Sequence, residues 1–354
     1  MMRVSSYRDT LEQLARSESV PQSHLAALIA MPTREVLEYA AGLAREVAEQ
    51  HFGHKVYLRG LLEVSNVCAA GCYYCGLRAE NRALGRYTLT TEEILESCEE
   101  GYGLGLRSFV LQGGQRADYR EPIAKVAREF KSRLSDAALT LSLGEQSGEC
   151  YEEWRKAGAD RYLLRHESAN EWHYGRLHPE SMSYQNRLGC LKRLSELGYQ
   201  CGAGFMVGTP EQTALHLAEE LEFLAQLRPQ MVGIGPFIPH SSTPFGQMPQ
   251  GSVEQTLLMI SLVRLVLPKA LIPSTTALAT ASGNGTQQGV LAGANVVMPN
   301  VTPKRYRAGY EIYNGKKSFG TEAVEGLEHL AELLGRVGYE ASLERGDHPD
   351  FVVK

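Results

Sequence analysis

Cys68, Cys72 and Cys75 stand in the run EVSNVCAAGCYYCGLR at a C-x3-C-x2-C spacing, with no fourth cysteine close by. A closed structural zinc site takes four protein ligands in a tetrahedron, and ordinary ferredoxin clusters are likewise held by four cysteines. Three thiolates can hold three irons of a cubane and leave the last one open to a small molecule. The trio therefore points to a catalytic iron centre, with a zinc knuckle as the plainer alternative. Tyr74 directly precedes the third cysteine, and the motif opens a loop after an apolar run, unlike a zinc ribbon.

The surrounding pattern says how such a loop is carried. Between about residues 56 and 298, short β-like runs alternate with amphipathic helical stretches, the mark of repeated βα units and a parallel sheet. The predicted strands are Tyr57 to Val64, Ser108 to Gln112, Leu139 to Leu143, Arg161 to Arg165, Gly202 to Val207, Met231 to Ile234, Leu271 to Thr275 and Asn295 to Met298. Eight such units predict an α/β fold of the TIM-type (β/α)8 barrel class, whose chemistry sits at the carboxyl ends of the strands. Thr90 and Thr91 ahead of Glu93 read as a helix start, and Gly198 and Gly293 as left-handed helix ends. Residues 1–55 read as an N-terminal helical extension, 56–300 as the barrel and 301–354 as a C-terminal helical tail packed on it.

The predicted strand ends are polar. Gln112, Gly113, Gly114 and Gln115 follow the second strand, and Thr140 and Glu145 lie on or after the third. Arg165, His166 and Glu167 end the fourth, Met206 the fifth, and Thr275 and Thr276 the seventh. Glycines at 113 and 114 let backbone approach a ligand closely. Composition excludes other classes. With 43% hydrophobic and 22% charged residues the chain is globular, and a net charge of -5 without a basic, aromatic-interleaved stripe gives no support for nucleic-acid binding. No run of eighteen apolar residues and no secretory leader is visible, so a cytoplasmic protein without membrane association is expected. The other four cysteines lie far apart and read as buried thiols of a reducing compartment.

C-x3-C-x-aromatic-C after the first strand resembles the signature of the radical S-adenosylmethionine (SAM) enzymes. The resemblance implies that Cys68, Cys72 and Cys75 ligate one 4Fe-4S cluster, and that the amino and carboxylate groups of SAM chelate the open iron. It also implies a SAM site formed by Tyr74, Gln112, Gly113, Gly114, Glu145, Arg165, Glu167, Arg187 and Met206. A two-pronged arginine, Arg165 or Arg187, suits the SAM carboxylate, and Glu167 suits its amino group or a ribose hydroxyl. Gln115 stands where this family usually has glutamate.

The runs SNVCAAGCYYCGLRAENRALGRYTLT, GADRYLLRHESAN, GAGFMVGTPEQT, MVGIGPFIPHSSTP and GANVVMPNVTP are similar to the HydE maturases of FeFe-hydrogenase, in the biotin synthase and methylornithine synthase group. This likeness implies a deoxyadenosyl-radical enzyme acting on an iron complex of CO, cyanide and cysteine, or on a related thiol amino acid. It further implies partner maturases and an electron donor such as ferredoxin or flavodoxin. Thr140, Thr275, Thr276, Tyr310 and Tyr313, with Tyr306, are the implied substrate-side residues. A methylornithine-synthase-like mutase and a non-enzymatic iron-sulfur carrier are the rival readings. No cysteine follows Cys201, so a single cluster is expected.

Overall fold

The structure, a computed structural model, describes residues 5–316 and 323–351. Three helices, α1 (Ser5–Ala15), α2 (Gln22–Ile29) and α3 (Arg34–Phe52), precede strands β1 (Lys55–Leu58) and β2 (Gly60–Ser65). The single first strand expected from sequence is thus divided at Arg59. From β2 onward strand and helix alternate: α4 (Thr91–Gly103), β3 (Ser108–Gly113), α5 (Arg120–Arg133), β4 (Ala138–Ser142), α6 (Gly148–Lys156) and β5 (Arg161–Leu163). Then come α7 (Glu171–Leu177), α8 (Tyr184–Glu196), β6 (Gln200–Val207), α9 (Ala214–Leu227), β7 (Met231–Pro236) and α10 (Val253–Val266). The chain continues through α11 (Thr276–Ala281), α12 (Gly285–Leu291), β8 (Val296–Val297), α13 (Lys304–Arg307), α14 (Ala323–Gly335) and β9 (Glu340–Ser342).

Strands β2 to β7 form one sheet in sequence order, every neighbouring pair parallel. Every residue of β2, β6 and β7 is buried, as expected when helices or loops cover both faces of a parallel sheet. The predicted seventh strand does not form as a ladder. Pro273 has no N–H to donate, and residues 271–274 join their neighbours only by single bridges, Met231 to Leu271, Ile234 to Ser274 and Pro273 to Val296. The predicted eighth strand shrinks to β8, which pairs with β1, while Leu61 bridges Asn300.

Local signals hold the register. Thr90 caps α4 in a reciprocal capping box with Glu93, and Gly198 and Gly293 take φ of +74° and +107° just after helical segments. Two buried layers flank the sheet. One gathers Phe109, Phe130, Trp154 and Tyr162 beneath α4 to α6 and α8; Trp154 stacks on Tyr162 at 6.2 Å. The other joins α1 to α3 with α9 and α10 over Phe205, Val232 and Ile234, so the N-terminal helices cover one flank.

The tail closes the amino ends of the strands. β9 pairs with β1, and Arg161, at the start of β5 and fully buried, donates to Asp347 Oδ1 at 2.7 Å. Arg345 Nε reaches Asp347 Oδ2 at 2.7 Å. Burial pushes the Asp347 carboxyl up, but the charge and hydrogen bonds of Arg161 more than offset this and hold it at about 2, below its usual 3.8. A depressed carboxylate stabilises the fold above its unfolded pKa, and that stability is lost as pH falls through the folded value. Asp347→Asn is therefore expected to cost about 2 kcal/mol at pH 7, and more insofar as Arg161 is left unpaired. Denaturant unfolding measured from pH 6 to pH 2 checks this, since the gap between variant and wild type must narrow below about pH 4.

Candidate active site

β2 delivers the cysteine loop. Its register slips between Glu63 and Ser65, and the chain turns out at Asn66, whose carboxamide donates to Gly85 and Gly309 carbonyls at 2.8 and 2.7 Å and accepts from Tyr87 N at 2.7 Å. The Cys68 thiol accepts from Ala70 N at 3.4 Å and from Gln115 N at 3.3 Å. Gly114 packs against this turn so closely that a Cβ there would lie 2.3 Å from Val67 O and 2.6 Å from Cys68 Cβ. Only glycine fits, which explains the Gly113-Gly114 pair seen in the sequence. Cys72 Sγ faces Met182 Sδ at 3.8 Å.

All three cysteines are free and partly exposed at the residue level. Burial pushes the Cys72 thiol up to about 12 against the opposing charge of Arg187. Burial also raises Cys75, with the charges of Cys72 and Cys68 adding to it. This mutual repulsion places the three sulfurs in one electrostatic neighbourhood. Among the described residues, however, no three His, Cys, Asp or Glu side chains gather as a single metal ion requires. Three free thiols on one loop suit a multi-iron cluster, in which each thiolate takes a different metal.

Charged side chains from successive strand ends surround the loop. Arg187 of α8, nearly buried, donates from Nε to Glu145 Oε1 at 2.5 Å and from Nη1 to Arg165 O at 2.5 Å. Asn186 Nδ2 holds the other oxygen of Glu145 at 2.6 Å, and Gln115 Oε1 accepts from Glu145 N at 3.0 Å. Arg165 Nη2 lies 3.1 Å from Glu167 Oε2, but out of hydrogen-bonding geometry. Arg165 Nε and Nη2, Glu167 Oε2, Thr140 Oγ1 and Tyr174 OH are all buried without a hydrogen-bond partner. Buried polar groups are normally paired, so these are the groups a polar ligand would satisfy. Glu167 also takes a left-handed φ of +67°, a strained conformation for glutamate and one found at functional sites.

The tail reaches the same region. Segment 309–316 crosses the cysteine loop, where Gly76 N donates to Ile312 O at 3.0 Å. Tyr310 is buried, and burial raises its phenol, with the charges of Glu63 and Cys75 adding to the rise. Burial likewise raises the Tyr313 phenol, with the charge of Glu63 adding and that of Arg165 opposing. Lys316 pairs with Glu63, whose second oxygen accepts from Asn300 Nδ2 at 3.2 Å.

Most sequence-selected residues thus meet around the cysteines. Tyr74 is half-buried beside them, with its OH 3.2 Å from His178 Nε2, and Gly113 packs on the Tyr119 hydroxyl. Met206 is buried on β6. Thr275 caps α11 by accepting from Leu278 N, and Thr276 begins that helix. Tyr306 turns away, stacked on Tyr87 and bonded to Glu93. His166 also points away from Arg165 and Glu167, to Glu220 at 2.5 Å. Glu63, Tyr174, His178, Met182 and Lys316 were not selected. Glu63, a lone charge in the apolar run GLLEVS, was the one legible signal among them. A cleft of about 1050 Å3 lies between the α1–α2 turn and the C-terminal ends of α9 and α10, and none of these site residues lines it.

Residues 62–224 match the model of the Radical SAM superfamily. The chain is 43% identical over 333 residues to the [FeFe] hydrogenase maturase subunit HydE of Thermotoga maritima, covering 93% of this chain and 94% of that protein. The chain belongs to the HydE family of radical SAM proteins. More distant is the 3-methylornithine synthase of Methanosarcina acetivorans, 26% identical over 81% of each chain. Solved structures share the fold. Methylornithine synthase has a TM-score of 0.82 at 24% identity, covering 94% of this chain and 97% of its own. The FeFe-hydrogenase maturase HydG from Carboxydothermus hydrogenoformans has 0.79 at 20%, covering 96% and 80%.

For this HydE family member the Glu145–Arg187 pair gives a direct structural test. Arg187→Met leaves a buried carboxylate without its cation and should cost about 3 kcal/mol. Glu145→Gln keeps an acceptor for Arg187 Nε, and Arg187 Nη1 retains Arg165 O, so it should cost less and the two urea midpoints are expected to fall in that order.

Proposed function

We propose that the chain is a radical SAM enzyme of FeFe-hydrogenase maturation, a reading carried by its identity with the Thermotoga HydE subunit along nearly the whole chain. Cys68, Cys72 and Cys75 would hold one 4Fe-4S cluster, leaving one iron for the amino and carboxylate groups of SAM. When bound and reduced, that cluster supplies the electron that splits SAM into methionine and a 5'-deoxyadenosyl radical.

The protein's own part is to bind, orient and exclude water. Arg165, with two buried and unpartnered nitrogens, is the carboxylate anchor we assign to SAM, and Glu167 the acceptor for its amino group or ribose. Arg187 and Glu145 would fix the backbone at Arg165 rather than bind directly, because each is already engaged with the other. Gly113 and Gly114 let the β3 end approach the cluster and SAM; Tyr74, Gln112 and Met206 complete the cofactor side. On the substrate side we assign Thr140, whose hydroxyl has no hydrogen-bond partner, with Tyr310 and Tyr313 brought in by the tail. Thr275 and Thr276 would contribute through the α11 N-terminus.

The fold behind this reading is an eight-stranded barrel over about 56–300, closed by the single bridges at 271–274 and at Leu61. The substrate would be an iron complex bearing CO, cyanide and cysteine, or a related thiol amino acid, handed over by a partner maturase, with a ferredoxin or flavodoxin as reductant. Free, buried thiols and the absence among the described residues of any helix able to cross a membrane support a reducing, cytoplasmic setting. The likeness to 3-methylornithine synthase keeps a small-molecule mutase as the second reading.

Reconstituted without oxygen, the protein should take up about four irons per chain and form 5'-deoxyadenosine from SAM under reduction. Cys72→Ala should abolish both. Addition to an in vitro maturation mixture lacking its HydE component should restore hydrogenase activity. Deoxyadenosine without restored maturation would favour the mutase, and neither activity would refute the enzyme. Glu167→Gln should weaken SAM binding at least tenfold, the loss of one charge-assisted bond, with little change in unfolding temperature.

A further inference from the structure

The cysteine loop is tied at its base by a side chain that no motif singles out. Arg86 lies on the segment returning from the loop to the Ser65–Thr88 bridge, just before α4. Its guanidinium gives every hydrogen bond to backbone carbonyls: Nη1 to Asn66 at 2.5 Å and Leu77 at 2.9 Å, Nη2 to Arg78 at 2.8 Å and Asn81 at 3.0 Å. Asn66 stands two residues before Cys68, and Leu77 two residues after Cys75. One planar group therefore joins the entry of the loop to its exit, with all three cysteines between.

Asn81 Nδ2 adds a bond to Gly76 O at 2.8 Å, and Ala79 N one to Ala70 O at 2.9 Å, so the frame around the thiols is braced from within as well. The charge of Arg86 is also distinctive. Arg78 lies against Glu80, Arg165 against Glu167 and Arg187 against Glu145, whereas among the described residues Arg86 has no carboxylate partner.

We propose that Arg86 is a positioning residue for the cluster, a brace that sets the spacing of Cys68, Cys72 and Cys75 before iron arrives. This rests on the reading that the trio holds the 4Fe-4S cluster. The role requires arginine: its rigid fork reaches four carbonyls at once, whereas a lysine ammonium has three donors and no plane.

Arg86→Lys and Arg86→Met, with Arg82→Ala as an exposed control on the same segment, separate geometry from charge. Cluster loss to a chelator, followed by absorbance, should be at least tenfold faster in both Arg86 variants, about the effect of one lost charge-assisted bond. In the cluster-free proteins, amide exchange over 66–81 should rise in both, while the unfolding temperature stays within a few degrees of wild type. Arg82→Ala should match wild type throughout. Wild-type chelation and exchange in both Arg86 variants would overturn the proposal. So would wild-type behaviour of Arg86→Lys alone, which would make the role one of charge, or cluster loss that merely follows global unfolding. A wild type that takes up no iron would refute the cluster reading instead, and amide exchange in the cluster-free proteins would still decide the brace.

Discussion

The arrangement at the mouth depends on one constraint: three sulfurs must be held near one another at the end of β2, with Cys72 and Cys75 in surroundings that favour the thiol over the thiolate. Burial raises both, and the charge of Cys68 adds to each. Such a trio is stable as thiols or with a positively charged metal centre, and unfavourable as bare thiolates. The neighbouring structure meets this cost with rigidity. Gly114 lies against Cys68 where no side chain fits, two amides point at its sulfur, and Asn66 ties the loop to the return segment and to the tail.

The segment after β5 separates its side chains. It sends Arg165 and Glu167 to one side and His166 to the other, where Glu220 holds it in the layer between β6 and α9. The same separation divides polar groups by purpose. Glu145 and Arg187 satisfy one another and act as framework, whereas Arg165, Glu167 and Thr140 keep buried atoms unpaired. An orphaned buried donor costs about 1–3 kcal/mol. A bound zwitterion would satisfy these groups, while the left-handed backbone at Glu167 is a further local penalty.

The cysteines, the double glycine and most of the strands were legible because each rests on local chemistry or a period of two. The seventh strand was not, because the apolar run around residues 271–275 contains Pro273, which breaks the ladder into single bridges. Gln115 departs from the family's usual glutamate, and in the structure its carboxamide supports the Glu145 amide. The partner of Glu63 lies 253 residues away at Lys316, and Tyr174 and His178 are brought in by α7 packing. Such pairings are set by tertiary contact, and nothing in local spacing announces them. His166, adjacent to two site residues in sequence, shows the converse, since its neighbours' role does not extend to it.

The proposed function turns on three protein thiolates leaving one iron for SAM. Electron-nuclear double resonance on the reduced protein, with SAM labelled by 15N in its amino group and 17O in its carboxylate, reads this at the iron itself. Hyperfine coupling from both labels is expected, strongly diminished when Arg165 is replaced by methionine. A reduced cluster that shows neither coupling in the presence of saturating SAM would refute it.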